Sequence, residues 1–316
     1  MQRLRSWQLF AVCVFTWATT WHAITYQIAP ISPELGVGVR FGLAGLLVIG
    51  ACLWRGIQLP SGLRDHAMLA LQGVFLYGVS YVCVYHAERY VPSGLVAVGY
   101  SASPLITGIG ASLLFGIRVG RRFVAGGLLG LAGVALIFWP EFAKASSGSQ
   151  VGLGAAFTVA SVLLSAVGSL AASRNLSRGV SFWPALGLGM LYGAMACLLI
   201  ALVRGQPFEL PRTATWWVTL AYLVLAGSIL TFACFLTLQD RIGPGPTGSI
   251  GVMTPLLALL VSIAFEDFVP SALTVAGAAL AVVGNALMLR RIAPATRGVP
   301  TAKGGVPTAA EQRRAD

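Results

Sequence analysis

Ten apolar segments follow one another through nearly the whole chain, at approximately 8–28, 36–54, 66–86, 94–115, 121–139, 151–172, 183–203, 215–238, 247–266 and 270–290. Each runs to about 20 residues, the helical length that crosses a hydrocarbon layer about 30 Å thick. That layer offers no water to backbone N–H and C=O groups, so a crossing segment satisfies them internally as a helix. The pattern predicts an all-α, polytopic membrane protein with ten transmembrane helices. Composition agrees, since 57% of the 316 residues are hydrophobic and 10% charged, with a mean hydropathy of +0.81. A soluble domain carries about 25% charged residues. Arg3 and Arg5 before Leu9 imitate the start of a secretory signal, but the first segment stays apolar as far as Ile28 and reads as a retained helix.

The chain also writes one stretch twice. Glu88-Arg89-Tyr90-Val91-Pro92 leads through an apolar segment broken by Pro104 to Val124-Ala125-Gly126, Gly133 and Ala135-Leu136. Asp240-Arg241-Ile242-Gly243-Pro244 leads in the same way through Pro255 to Val275-Ala276-Gly277, Gly284 and Ala286-Leu287. A repeat of this length predicts two homologous halves. The expected division is a first five-helix repeat at 1–140, an inter-repeat loop at 141–150, a second repeat at 151–291 and a disordered cytoplasmic tail at 292–316.

Loop charge sets the expected orientation. With the N-terminus inside, sixteen basic residues fall on the cytoplasmic side: Arg3, Arg5, Arg55, Arg64, Arg118, Arg121, Arg122, Arg174, Arg178, Arg241, Arg290, Arg291 and four in the tail. Arg89, Lys144, Arg204 and Arg212 fall outside. The positive-inside rule then places both termini in the cytoplasm, in the inner membrane of a bacterium. The net charge of +11 is thus a topology signal, and no nucleic-acid partner is expected. Five spans per half is an odd number, so the copies are expected to sit upside down relative to each other. Inverted repeats are the build of secondary transporters, with the solute held near the midplane between the halves.

Several of these residues together resemble the EamA-type drug/metabolite transporter superfamily. They are Thr16-Trp17, Pro33 with Arg40-Phe41, Tyr85-His86-Ala87 leading through Pro92 to Ser103-Pro104-Leu105, Thr254-Pro255-Leu256, Phe265-Glu266-Asp267, and the Gly277/Gly284 pair. The first half departs by lacking an acid between Pro104 and Gly126, and the second by carrying Leu191 where Arg40 would recur. The resemblance implies a ten-helix basket whose central cavity is lined by helices 1, 3, 4, 6, 8 and 9. Within the superfamily it leans toward the aromatic amino-acid exporters of the YddG type.

The candidate substrate-binding residues follow from depth and spacing. Six tryptophans, Trp7, Trp54, Trp139, Trp183, Trp216 and Trp217, sit at segment ends, where indoles form an interface belt. Trp17 and Trp21 lie mid-segment one turn apart, and a buried indole N–H needs an acceptor that a solute carboxylate can supply. Tyr77, Tyr81 and Tyr85 form one stripe, of which Tyr77 and Tyr81 lie deepest. Ser161, Ser165, Ser169 and Ser173 form another, read either as close helix packing or as a polar cavity wall, with Ser165 and Ser169 central. Pro104 and Pro255 are candidate hinges. A proline withholds a donor from the carbonyl four residues earlier, here Tyr100 and Gly251, which brings in Tyr100, Ser101 and Met253 beside them.

Arg40 is expected at the outer mouth, guiding a carboxylate, pairing with Glu34 or snorkelling to water. Asp, Glu and Lys are absent from the deep part of every span, which predicts facilitated movement or exchange rather than proton coupling. The expected function is export of small neutral or zwitterionic metabolites, foremost aromatic and other apolar amino acids, by alternating access. A multidrug exporter of lipophilic compounds is the rival. An intramembrane serine–histidine hydrolase built on Ser101 and one of three histidines is the distant alternative. Cys13, Cys52, Cys83, Cys197 and Cys234 show no CxxC spacing and read as packing residues. Neither cofactor nor metal is expected. The partners are a small-molecule substrate and the lipid bilayer, around a monomer or weak dimer.

Overall fold

A computed structural model of the chain describes residues 4–116, 119–144, 150–248 and 250–289. Arg3, Arg118, residues 145–149 of the inter-repeat loop and the whole tail therefore lie outside the described residues. The described chain is helical, with no strand among the described residues. Its ten helical segments are α1 (Ser6–Ile28), α2 (Pro33–Trp54), α3 (Leu63–Ala87), α4 (Ser93–Phe115), α5 (Arg121–Lys144), α6 (Val151–Ser177), α7 (Phe182–Val203), α8 (Ala214–Ile242), α9 (Ile250–Phe265) and α10 (Ala272–Leu289). A single turn, Pro244–Thr247, precedes α9. Six of them, α2, α3, α4, α6, α7 and α8, are long and apolar enough to cross a membrane.

Local sequence explains the helix ends. Ser32 caps α2, its Oγ accepting from Leu35 N at 3.3 Å, with Pro33 and Glu34 in the first turn. Gly116 ends α4 in the left-handed region at φ 68°.

The two proline helices behave differently. In α4 the chain tightens into a 3₁₀ turn at Tyr100–Ala102, where Tyr100 O accepts from Ser103 N, and Pro104 then lies in the first turn of the helical stretch that follows. Pro255 stays inside α9. The third helix of each half carries a π-helical stretch, Val74–Val79 in α3 and Leu223–Leu230 in α8. Such stretches mark functional sites often enough to direct attention there.

Packing repeats itself between the halves. Helix α1 packs on α8 and α9, and α6, five helices later, packs on α3 and α4. The pairs α2·α7 and α5·α10 join equivalent helices directly. In α5·α10 a Cβ on Gly133 would lie 2.5 Å from Gly277 O, and one on Gly277 would lie 2.5 Å from Gly133 O. Gly126 meets Gly284 in the same way. Rising numbers in α5 therefore face falling numbers in α10, so the two helices run antiparallel. Only glycine permits this backbone approach, and small residues are what bring helices together where apolar burial gives no drive.

Polar contacts tie both ends of the bundle. At the end where α1 finishes, Glu34 accepts from Arg204 Nη1 at 2.6 Å and lies 3.4 Å from His86 Nε2. Glu266 lies 3.0 Å from His22 Nδ1, accepts from Ser93 N and Ser262 Oγ, and bonds Ser93 Oγ closely. Arg89 donates to the carbonyls of Ile28 and Ile31. At the other end Arg241 donates to Leu4 O, and Asn175 donates to Gln72 Oε1 at 2.9 Å. One of the six belt tryptophans is corrected. Trp216 is 1% exposed, inside the main apolar cluster, because α8 packs against α1 where Gln27 Nε2 bonds Trp216 O. Trp7, Trp54, Trp139 and Trp217 are exposed.

Candidate functional site

The helices line a central cavity, partly open to its surroundings, whose empty space including the solvent at its opening is about 880 Å³; α1, α3, α4, α6, α8 and α9 bound it. Its aromatic wall has Trp17 and Trp21 from α1, Tyr81 from α3, Tyr100 from α4, and Phe232 and Phe235 from α8. Ring centroids of Trp17 lie 5.2 Å from those of both Phe232 and Phe235, and those of Trp21 lie 5.2 Å from Tyr100. Tilted and edge-on pairs at these spacings hold one another in place beyond simple burial. The polar wall is hydroxyl only: Thr20, Ser103, Thr107, Ser165, Ser169 and Thr254. None of the lining residues carries a charge.

The hydroxyls divide by what they already bond. Ser165 Oγ donates to Val162 O and Ser169 Oγ to Gln239 Oε1, both at 3.0 Å, while Thr20 Oγ1 donates to Trp17 O at 2.9 Å. The buried Nε1 of Trp17, Nε1 of Trp21, Oγ of Ser103 and Oγ1 of Thr254 have no hydrogen-bond partner. An unmet buried donor costs about 1–3 kcal/mol. Four such groups around one cavity amount to unspent hydrogen-bonding capacity waiting for a polar solute.

Of the residues singled out from sequence, the fold gathers Trp17, Trp21, Tyr81, Tyr100, Ser165, Ser169 and Pro255 on the cavity. Four others lie elsewhere. Tyr77 is fully buried one layer back, its ring 4.8 Å from Phe232. Ser101 lines a separate, smaller pocket beside Ile137 and Pro255. Met253 is 42% exposed, because the residue beside Thr254 on a helix faces away from it. Pro104 is buried outside the lining. Gly251 sits against Tyr100, since a Cβ there would lie 2.7 Å from Tyr100 O, so the residues four before each proline meet at the cavity.

Arg40 does not stand at a mouth. It is 0% exposed, its Nε donates to Ser228 Oγ at 2.9 Å, and its guanidinium carbon lies 4.9 Å from the Tyr81 ring and 5.0 Å from the Phe41 ring. Glu34, its expected partner, is taken by Arg204 and His86. The serine–histidine pair does not form either. His22, His66 and His86 bond Glu266, Tyr192 with Pro60, and Glu34, and none bonds Ser101. Among the described residues no group of three or more His, Cys, Asp or Glu could hold a metal ion.

Phe232, Phe235, Thr20, Ser103, Thr107 and Thr254 line the cavity without having been singled out. Phe232 and Phe235 were within reach, as the large aromatics in the inner part of α8. Ser103 and Thr254 each directly precede a repeat proline, a signal that could have found them, whereas Thr20 and Thr107 carry no pattern that separates them from packing residues.

Apolar helices wrapped around one uncharged central cavity are the build of a membrane solute carrier. The model of the EamA-like transporter family matches residues 5–139 and again 152–290, and the chain belongs to that family as an integral membrane protein. A protein named uncharacterized inner membrane transporter YedA, from Escherichia coli K12, is 30% identical over 257 residues, covering 80% of each chain. Protein PagO of Salmonella typhimurium is 23% identical over 83% of this chain and 84% of its own. A solved crystal structure superimposes with a TM-score of 0.66 at 20% identity, covering 89% of this chain and 95% of the other, which shows the fold alone. The family and the relatives' names point to transport rather than catalysis.

Proposed function

We propose that the chain is a secondary transporter that exports small zwitterionic metabolites, foremost aromatic and other apolar amino acids, by alternating access between two inverted five-helix halves. One observation carries the reading: the cavity pairs an aromatic wall with free N–H and O–H groups and presents no charged side chain among its lining residues. Indole, phenol and phenyl faces accept an apolar side chain, and the unpartnered donors accept a carboxylate. Alternating access is supported by the antiparallel glycine crossing of α5 on α10 and by the exchange symmetry of the helix contacts. In this reading ten segments cross the membrane with both termini cytoplasmic, and reporters fused after Arg291 and within 144–150 read inside and outside respectively.

The aromatic wall also suits a lipophilic cation, through cation–π attraction. The cavity lining holds no carboxylate to balance such a cation, which favours the zwitterion. Counterflow on reconstituted protein decides between them. Vesicles loaded with phenylalanine should take up labelled phenylalanine and tryptophan faster than threonine, and should ignore tetraphenylphosphonium. Uptake of the cation alone would replace the amino-acid reading with the multidrug one.

A further inference from the structure

A buried cation that forms no ion pair is the least expected feature of the interior, although the buried Glu88 carboxyl feels its charge. Arg40 is fully buried in α2, and both its Nη1 and Nη2 lack a hydrogen-bond partner. Among the described residues its one hydrogen bond runs from Nε to Ser228 Oγ. No carboxylate among the described residues forms an ion pair with it. Two unmet N–H groups on a buried charge are costly, and they call for an acceptor.

The surroundings say where that partner would come from. Tyr81, whose ring lies under the guanidinium, is a wall of the cavity, and so is Thr20. Gly227 marks the meeting point, since a Cβ there would lie 2.7 Å from Thr20 Cγ2 and 3.3 Å from Arg40 Nη2. The guanidinium fork therefore stands directly behind two cavity side chains. Thr20 leaves it unserved, its hydroxyl being turned back to Trp17 O. Gly227 and Ser228 both belong to the π-helical stretch of α8, and Tyr81 lies two residues past that of α3, so irregular helix borders Arg40 on two sides.

We propose that Arg40 is a carboxylate subsite at the Thr20–Tyr81 wall, and that the transported solute carries a carboxylate that Nη1 and Nη2 bind as a fork. The planar guanidinium matches two carboxylate oxygens at once, which a lysine does not. The aromatic wall of Trp17, Phe232 and Phe235 then holds the rest of the solute. The subsite rests on the transport reading above and narrows its substrate class to organic carboxylates and amino acids. Amines, amides and neutral drugs of the same shape fall outside it.

The test compares acids with their amides. Purified protein is melted, followed by tryptophan fluorescence, with phenylalanine or phenylalanine amide, and with 3-phenylpropionate or its amide. In the unmutated protein each acid should raise the melting temperature more than its amide. Binding isotherms should show Arg40→Gln weakening the acids about ten- to a hundredfold, the scale of hydrogen bonds to a charged group, while leaving the amides unchanged. Arg40→Lys should recover part of the loss. Equal stabilisation by acid and amide in the unmutated protein overturns the subsite, whether or not any variant folds, and so do equal losses of both in Arg40→Gln. Binding of 3-phenylpropionate with no binding of phenylalanine would support the subsite and overturn amino acids as cargo. Binding of phenylalanine and its amide alike would overturn the subsite and leave the aromatic reading of the cavity in place.

Discussion

The third helices of the two halves, α3 and α8, share a π-helical stretch at matching depth and flank the same cavity. Their chemistry diverges there. Helix α3 brings the phenol of Tyr81, backed by Arg40 of α2, whereas α8 brings the phenyl rings of Phe232 and Phe235. The second helices diverge in the same sense. Where α2 has Arg40, α7 has Leu191, which packs against Gly45 of α2. The halves thus repeat their backbone packing and differ in what they show the solute. Symmetry suits the proposed alternating access, because both conformations of an inverted pair must be packable. Asymmetry suits recognition in the proposed reading, where the solute has a charged end and an apolar end.

Four experiments break or sharpen this contrast between shared scaffold and unshared lining. The largest effect belongs to the scaffold. Gly133→Leu and Gly277→Leu each drive a side chain into the opposing backbone of α5·α10, and each should cost about 3 kcal/mol, the upper range for overpacking. Size-exclusion profiles and melting temperatures of the two purified variants should fall together. A large loss at one glycine with none at the other would show that the crossing is not shared equally.

The prolines come next. Pro255→Ala returns a donor to Gly251 O inside a continuous helix and should stabilise by up to about 3 kcal/mol while slowing counterflow. Pro104→Ala should gain less, since the 3₁₀ turn already gives Tyr100 O the Ser103 N–H. Equal melting temperatures and unchanged transport in both variants would make the two prolines static.

Trp17 tests the lining. Its contacts with Phe232 and Phe235 belong to a class of about 0.5–1.5 kcal/mol beyond burial, or roughly three- to tenfold in affinity. Trp17→Ala should therefore weaken transport of phenylalanine and tryptophan by that factor more than transport of threonine. Equal losses for all three would return the residue to packing.

The smallest effect compares two carboxylates at the latched end. Glu88 is 8% exposed and neither carboxylate oxygen has a partner, while Glu266 collects bonds from Ser93, Ser262 and His22. Burial first, and the charge of Glu266 second, push the Glu88 carboxyl well above the ordinary range, with Arg40 opposing. At Glu266 burial also pushes upward, but hydrogen bonds from Ser93, His22 and Ser262 outweigh it and hold the carboxyl below its ordinary value. The signs are opposite. Native Glu88 keeps a proton that the unfolded chain has released, so its contribution makes stability fall as pH rises above the ordinary carboxylate value. Glu266 contributes stability above that value and loses it as pH falls through the depressed one. Melting between about pH 5 and 8, either side of neutrality, should show Glu88→Gln flattening a downward slope with pH. An unchanged slope would mean that Glu88 is hydrated and ionised.

The reach of the sequence differs from feature to feature for physical reasons. Lipid admits only internally bonded backbone, so long apolar runs announce their helices, and the segments expected at 8–28 through 270–290 fall on α1 to α10 within a few residues. Glycines needed for helix contact recur with the repeat, which made Gly126, Gly133, Gly277 and Gly284 readable before their partners were known. Trp17 and Trp21 were readable because a polar ring atom at mid-membrane depth needs a reason. Depth along a helix is written in the chain, but rotation about its axis and the choice of neighbour are not. That is why Tyr77 falls behind Phe232 while Tyr81, one turn on, reaches the cavity. For the same reason Met253 turns outward beside the cavity-lining Thr254. Charges show the limit most plainly. Arg40 near a helix end and Glu88 in a loop both look solvated in one dimension, and both are buried because helices distant in sequence close over them. Desolvation is a property of the assembled bundle, so which charges feel it was decided by tertiary packing alone.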